Sequence, residues 1–526
     1  MAATTSSQRR KALKALAALA GSVALPESLL AAIDNSASSG TPRVGLVIGN
    51  SRYSASPLRN PVNDAKAIAE SLSSLGFSVE VLLDASLKEM AAAIKTYGTR
   101  VANEKAVGLF YYAGHGAQLA WRNFLIPVDA AIEHLEDLPK QCFELNLLLG
   151  ALNKAANPMN IIILDACRDN PFGNRVLTEQ KGLSQFDAPP SSLLAYATAP
   201  GNTASDGRGA NGLFTENLLR EMRVPEAKLE DVFKRVRLNV RLQSSGQQVP
   251  WESTSLEDDF YFVPQGKARK ASEDEQKQRF SEEQSVWDAA ANATSVQPLE
   301  AYLRKYPNGN FSQLAQARLD KLLAAQGEKK AQIISSEKNP FSKGAASGAG
   351  NYSVGDRFGF VVKDMFTEIV EDQFAETVTA VNIGTTEFDH GKRILDLLGN
   401  DIWSSRKRMF FPQAQLFPSE YLLNKKWQTR SVWRARDGVV KDLEVELKVV
   451  GRERYKTPFG EFYPFLVEGV GYLTGGGKYT FNYKIDPDAC PRPLVFDMTV
   501  TNQWSNRVGL RLRVELTEFS QQKNRA

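Results

Sequence analysis

The hydrophobic positions of this chain change period twice. From Arg43 to about Val263, solid apolar runs alternate with stretches whose apolar residues recur every three or four positions. Val44-Gly45-Leu46-Val47-Ile48 reads as a strand buried on both faces. Ser78 to Leu82, Ala106 to Tyr112, Asn160 to Leu164 and Leu193 to Ala197 read as four more. Asn60-Pro61 predicts a helix start, a capping residue followed by proline at the first helical position, and Gly76 predicts its end. Ser86 and Glu89 have capping-box spacing and open a second helix running to about Asn103. Strands alternating with helices predict an α/β unit, a doubly wound, mostly parallel sheet with ligands bound beyond the carboxyl ends of its strands.

Residues 265–350 change character, with Lys, Glu, Gln and Ala dominating. Phe280, Val286, Trp287 and Ala290 recur at helical spacing, as do Leu299, Tyr302 and Leu303. After a break at Tyr306-Pro307-Asn308-Gly309, Phe311, Leu314, Ala315, Arg318 and Leu319 resume it. This predicts a small helical hairpin, similar to one tetratricopeptide-like unit, which buries little alone and docks on a neighbour. The Lys, Ser, Gly and Ala-rich stretch from Ala324 to Asn351 predicts a flexible linker. Over residues 351–520 the period falls to two: Leu443 to Val449 and Leu510 to Leu516 alternate apolar with charged, and Gly475-Gly476-Gly477 reads as a turn. A C-terminal antiparallel β-rich domain follows, as an open sheet, curved sandwich or open barrel. Trp427, Trp433 and Trp504 belong to its core or sheet faces.

The 526 residues fit three domains at roughly 150 each. With 43 % hydrophobic and 24 % charged residues, the composition excludes a disordered, collagen-like or polytopic membrane chain. A net charge of +4, from 64 basic and 60 acidic residues, gives no footprint for nucleic acid. No apolar run beyond the N-terminus reaches the ~18 residues of a membrane span. Residues 1–37 read as an export signal. Arg9, Arg10 and Lys11 precede an Ala/Leu-rich stretch from Ala12 to Leu25, and Gln8 to Leu13 resembles a twin-arginine signal. The mature chain is then expected outside the inner membrane, periplasmic or extracellular.

Three cysteines (Cys142, Cys167, Cys490) are too few for a disulfide framework, and three histidines (His115, His134, His390) leave little for a metal site. No metal ligand set and no organic cofactor are expected. The third strand runs into Tyr112-Ala113-Gly114-His115-Gly116, and the fourth into Asp165-Ala166-Cys167-Arg168. Both reactive residues fall just past a strand's carboxyl end. A cysteine thiol needs a base, and His115 can take its proton and later return it to a leaving amine. The backbone N–H groups of Gly116 and Cys167 are candidate donors for an oxyanion. His134 lies in an acidic, looped stretch, and His390, Cys142 and Cys490 have no complementary residue nearby in sequence.

The histidine stands about 50 residues upstream of the cysteine. With Gly45 to Asn50, Leu58-Arg59-Asn60-Pro61-Val62-Asn63-Asp64-Ala65, the His115 and Cys167 motifs, and Ser205-Asp206-Gly207 before Asn211-Gly212-Leu213-Phe214-Thr215, residues 41–264 resemble a bacterial caspase-like cysteine peptidase of the metacaspase and orthocaspase kind. The Arg168-Asp169-Asn170-Pro171 that follows the cysteine departs from the His-Ser-Gly common in metacaspases. The resemblance implies a caspase-like sheet and a His115/Cys167 endopeptidase acting on peptides or proteins. It also implies Asp64 and Asp165 as substrate-binding pocket acids selecting Arg or Lys, with Arg59 and Arg168 close enough in sequence to neutralise them. Because many metacaspases need calcium, the resemblance leaves calcium open as a cofactor, although no Asp-x-Asp-x-Asp-Gly loop is present. In caspases the connection after the nucleophile is cut during maturation. Here Phe172 to Ser192 reads as an exposed loop, with autocleavage expected after Arg175 or Lys181. The alternative is a catalytically quiet caspase-fold scaffold whose β-rich domain binds an envelope partner.

Overall fold

The computed structural model describes residues 40–167, 182–200, 202, 209–264, 272–331, 333, 336–405, 410–411, 414–434, 440–473, 477–501 and 508–522. The export signal expected over residues 1–37 lies outside them, as do Ser205 to Gly207.

The α/β unit contains β1 (Arg43–Gly49), α1 (Pro61–Ser74), β2 (Ser78–Leu83), α2 (Leu87–Glu104), β3 (Val107–Leu119), β4 (Arg122–Leu125) and β5 (Phe143–Glu144). It continues through α3 (Leu145–Ala155), β6 (Met159–Cys167), β7 (Ser192–Tyr196), α4 (Leu213–Glu221), α5 (Leu229–Gln243) and β8 (Trp251–Thr254). The main sheet runs β2-β1-β3-β6-β7-β8, and β4 and β5 branch from the end of β3. The pairs from β2 through β7 are parallel, and β8 closes the edge antiparallel. Strand alternation sends Leu109, Tyr111, Ile161 and Ile163 into one core with α1, α4 and α5. Phe110, Tyr112, Ile162 and Leu164 enter the opposite core with α2 and α3.

All five expected strands are present, and the Ser86–Glu89 capping box closes in both directions. Such a cap is worth about 1 kcal/mol. Asn60, expected to cap α1, makes no side-chain cap bond. Its backbone is already near-helical (φ −102°, ψ −21°), whereas a capping side chain reaches the N2 or N3 amide from extended backbone.

The expected hairpin is three helices, α6 (Glu273–Ala290), α7 (Val296–Lys305) and α8 (Ser312–Ala325). The Trp287 and Phe311 rings stack at 5.5 Å, and the Tyr302 hydroxyl donates to Glu283 Oε1 at 2.7 Å. The unit does dock: Leu238 of α5 and Leu398 of the C-terminal domain complete its core.

The segment expected to be a flexible linker is instead a strap pinned to the α/β unit. Ala331 N donates to Gly246 O, Asn339 Nδ2 to Gln185 O at 2.7 Å, and Asp187 N to Phe341 O at 2.9 Å. Ile333 and Phe341 pack on the α2/α3 core, with the Phe341 ring 4.7 Å from that of Phe186. Two apolar anchors in a polar stretch outweigh its average composition. The Phe172–Ser192 loop needs the same correction. From Gly182 to Phe186 and at Ala188 it is buried, because Leu183, Phe186 and Ala188 join the α2/α3 core and Asn123 hydrogen-bonds Ser184. Arg175 and Lys181 lie outside the described residues.

The strap leads through β9 (Ala345–Ser347) into β10 (Arg357–Asp364), β11 (Val370–Val381), β12 (Thr385–Phe388), β13 (Arg393–Asp396), β14 (Asp401–Ser404) and β15 (Phe410–Phe411). β16 (Glu420–Leu422), β17 (Lys426–Arg434), β18 (Val440–Arg452), β19 (Tyr455–Thr457) and β20 (Gly460–Phe462) follow, then β21 (Phe465–Leu473), β22 (Lys478–Ile485), β23 (Val495–Thr501) and β24 (Val508–Ser520). Twelve of these strands form one antiparallel sheet, ordered β14-β13-β12-β11-β10-β24-β23-β22-β21-β18-β17-β15. Leu443, Val445, Leu447 and Val449 point into its core while Glu444 and Glu446 are exposed, the alternation read from sequence. Trp427 is buried, its indole N–H donating to Gln415 O at 2.9 Å. The side chains of Trp433 and Trp504 lie outside the described residues. Arg237 of α5 pairs with Glu420 at 3.3 Å, tying this domain to the α/β unit. Among the described residues, no helix is long and apolar enough to cross a membrane.

Candidate active site

Two parallel strands deliver the expected reactive residues to the same place. β3 and β6 run in register from Val107↔Met159 to His115↔Cys167, so His115 and Cys167 are opposed on neighbouring strands at the carboxyl end of the sheet. Adjacent strands lie about 4.8 Å apart.

The His115 backbone is held from three directions. Its N–H donates to Tyr53 Oη at 3.0 Å, and its carbonyl accepts from Tyr112 Oη at 2.7 Å and from Ile126 N at 3.1 Å. The Ile126 carbonyl in turn accepts from Tyr53 and Asn50. Burial pushes the Tyr112 phenol well above its ordinary pKa, so it stays protonated and able to donate. Gly114 is required here. A Cβ would stand 2.5 Å from Tyr53 Oη and 2.7 Å from Tyr112 Oη, displacing the two hydroxyls that grip the histidine.

His115 is 3 % exposed, and its imidazole lies against the Tyr53 ring, with centroids 4.5 Å apart. Its Nε2 is 2.7 Å from Ser56 O. A carbonyl oxygen can only accept, so Nε2 carries the hydrogen, and the neutral ring's acceptor lone pair is on Nδ1. The β1–α1 loop thus sets the tautomer of a residue on β3. Further along, β3 continues into the ladder with β4, where Gly116 faces Leu125. Because Ile126 N bonds the His115 carbonyl, the alternation of an antiparallel ladder turns the Gly116 N–H away from β4.

A second group gathers beside this pair. Asp64, in the first turn of α1, is buried, and its Oδ1 accepts from Asn211 Nδ2 at 2.8 Å and from the Gly212 N–H at 2.9 Å. Asp165, two residues before Cys167 on β6, presents Oδ2 to the Thr215 hydroxyl at 2.7 Å and to Tyr111 Oη at 3.2 Å. Burial first, then the charges of Asp165 and Asp64, push the Tyr111 phenol well up, which keeps it a donor. The two aspartates meet at Gly212. A Cβ built there would lie 3.2 Å from Asp64 Oδ2 and 3.9 Å from Asp165 Oδ2. Arg59 is exposed, and Arg168 lies outside the described residues.

Of the supporting residues, Tyr112, Asn211 and Thr215 entered the sequence reading only as members of motifs, and Tyr53, Ser56 and Tyr111 were given no role. The adjacent tyrosines carried one signal. Neighbours on a strand face opposite ways, so a Tyr-Tyr pair sends one hydroxyl to each side of the sheet. His134 and His390 are exposed and away from the site. Cys142 and Cys490 are free and buried, and burial pushes both thiols up to about 12, which keeps them unreactive. Among the described residues no cluster of three or more His, Cys, Asp or Glu side chains could hold a metal ion.

Residues 42–261 match the family model described as the caspase domain. The match covers the α/β unit and not the helical and β-rich parts that follow it. It is similar to the mucosa-associated lymphoid tissue lymphoma translocation protein 1 homolog of Mus musculus, with 29 % identity over 194 residues, 35 % of this chain and 22 % of the relative. The human protein of that name is 29 % identical over 181 residues, 34 % of this chain and 21 % of the relative. The chain therefore spans only about a fifth of the length of these curated relatives.

Proposed function

We propose that this protein is a cysteine endopeptidase that cuts peptide chains after Arg or Lys, with Cys167 as nucleophile and His115 as its proton carrier. The observation that carries the reading is the opposed register of the two residues at the carboxyl ends of β3 and β6. Nδ1 of His115 takes the thiol proton. The thiolate attacks the peptide carbonyl carbon, and the tetrahedral oxyanion is met by the backbone N–H groups of Gly116 and Cys167. The C–N bond breaks as His115 returns the proton to the leaving amine. Water, losing a proton to the same imidazole, then hydrolyses the thioester and restores the thiol. The Ser56 carbonyl supports this sequence by keeping Nε2 protonated and the ring oriented.

The Arg or Lys preference rests on Asp64 and Asp165. Each carboxylate is fixed by hydrogen bonds to α4 or its N-terminus, and both approach one point at Gly212. Charge-assisted hydrogen bonds there would hold a cationic side chain. Fluorogenic peptides ending in Arg, Lys or Asp, offered to wild type and to Asp64→Ala, test the preference. Cleavage after Arg or Lys should fall roughly 100-fold in kcat/KM in the variant, the ~3 kcal/mol of a lost buried charge-assisted contact. A wild-type preference for Asp would reject it.

A further inference from the structure

Gly212 is the N-cap of α4, with φ −62° and ψ 149°. This is an ordinary extended conformation that any residue adopts, so the backbone does not require glycine there. Among the described residues, packing against other parts of the fold does not require it either. The three nearest heavy atoms that a Cβ would meet are Asp64 Oδ2 at 3.2 Å, Asp165 Oδ2 at 3.9 Å and Asp64 Cγ at 4.0 Å. As a cap, glycine is no better than serine, asparagine or aspartate, and here the Gly212 N–H is itself taken by Asp64. What the missing side chain changes is the space touching both carboxylates.

We infer that Gly212 is a specificity-determining residue. It forms the floor of the cation pocket, and its lack of a side chain lets a guanidinium reach both Asp64 and Asp165. The inference rests on the proposed preference for basic residues and deepens it to a preference for Arg over Lys. An arginine side chain places its terminal nitrogens one bond further from the backbone than lysine does. Its planar fork can also address two carboxylates at once, while an ammonium is a compact point charge. A methyl group on the floor therefore meets arginine first.

Fixed partners hold both carboxylates in place. Asn211 and the Gly212 N–H take Asp64 Oδ1, while Thr215 and Tyr111 take Asp165 Oδ2. Asp64 Oδ2 is the oxygen nearest the Gly212 floor. The carboxylates are held to the helix that carries the floor, so pocket and floor are positioned as one unit.

The test is steady-state cleavage of paired peptides ending in Arg or Lys by wild type, Gly212→Ala and Gly212→Ser, with melting temperatures measured alongside. Serine restores a good helix cap while filling the same space, so it separates a pocket effect from a helix effect. The expected result is an Arg-over-Lys preference in wild type. In both variants the kcat/KM for Arg peptides should fall at least tenfold through KM, with less than threefold change for Lys peptides and unchanged folding. Equal losses for Arg and Lys, recovery in the serine variant, or no change in either would overturn the role of Gly212 while leaving the basic preference intact. A wild type that cleaves after neither residue would overturn both.

Discussion

His115 and Cys167 are register partners on β3 and β6, the last pair of a ladder that begins at Val107 and Met159. The register does two things. It brings two residues about 50 positions apart to one end of a rigid sheet. It also leaves the histidine to be oriented by a different part of the chain, through the Ser56 carbonyl on Nε2 and the Tyr53 and Tyr112 hydroxyls on its backbone. A base held this way needs little reorganisation when the thiol loses its proton.

The grip on His115 should fail when Gly114 acquires a side chain. Gly114→Ala places a methyl within 2.7 Å of both tyrosine hydroxyls. Overpacking of this kind costs about 1–3 kcal/mol. The expected outcome is a melting temperature lowered by several degrees with kcat down by about 100-fold, since a small misplacement of a catalytic group is costly. Thermal melts and initial rates on one preparation check it. Normal kcat in a folded variant would separate the tyrosine network from catalysis.

Much of this arrangement was legible in the sequence, and the parts that were not share a cause. The strands ending at His115 and Cys167 are unbroken apolar runs, and such runs declare buried parallel strands without help from the rest of the chain. Ser86 and Glu89 close their box locally, so it too could be read directly. The Asn211–Asp64 bond joins residues 147 positions apart, and no local pattern encodes it. The strap and the buried half of the Phe172–Ser192 loop were misread because average composition hid Ile333, Phe341, Leu183 and Phe186. Each of these lies in a short apolar patch of a polar stretch, and its burial depends on a distant surface.

The interface between the α/β unit and the C-terminal domain should respond to pH. Lys425 lies in a charged cleft with Glu420 on its own domain, and with Lys234 and Arg237 of α5 and Glu252 of β8 opposite. Burial pushes its ammonium from 10.5 down to about 7, with Lys234 and Arg237 adding to the fall and Glu420 and Glu252 opposing it. A base depressed in the folded state contributes stability that is fully present above the unfolded pKa of 10.5, and that stability is lost as pH falls to about 7. Lys425→Met should therefore raise stability at pH 7 by roughly 2 kcal/mol, with a gain that shrinks towards pH 10. Melting curves of both proteins across pH 6–10 read the difference.

Self-cleavage is expected after Arg175. A bound substrate must lie extended on both sides of the cut, and local access decides where nicking occurs. The residues just beyond Lys181 are buried from Gly182 onward and hydrogen-bonded at Ser184, which disfavours that position. N-terminal sequencing of aged wild-type protein should find a new terminus at Val176, absent from Cys167→Ala. The two fragments should remain associated through the paired strands β6 and β7. A chain that stays intact while fully active would reject this.

The most direct test of the central claim is a double-mutant cycle on the peptidase rate, using wild type, Cys167→Ala, His115→Ala and the double variant on one peptide ending in Arg. If Cys167 and His115 act as one unit, each single change removes nearly all turnover and the double variant is no slower than either, because groups that work together lose their effect together. All four proteins should melt alike. Near-normal turnover in either folded single variant, or losses that multiply in the double, would contradict a mechanism in which the histidine carries the proton of this cysteine.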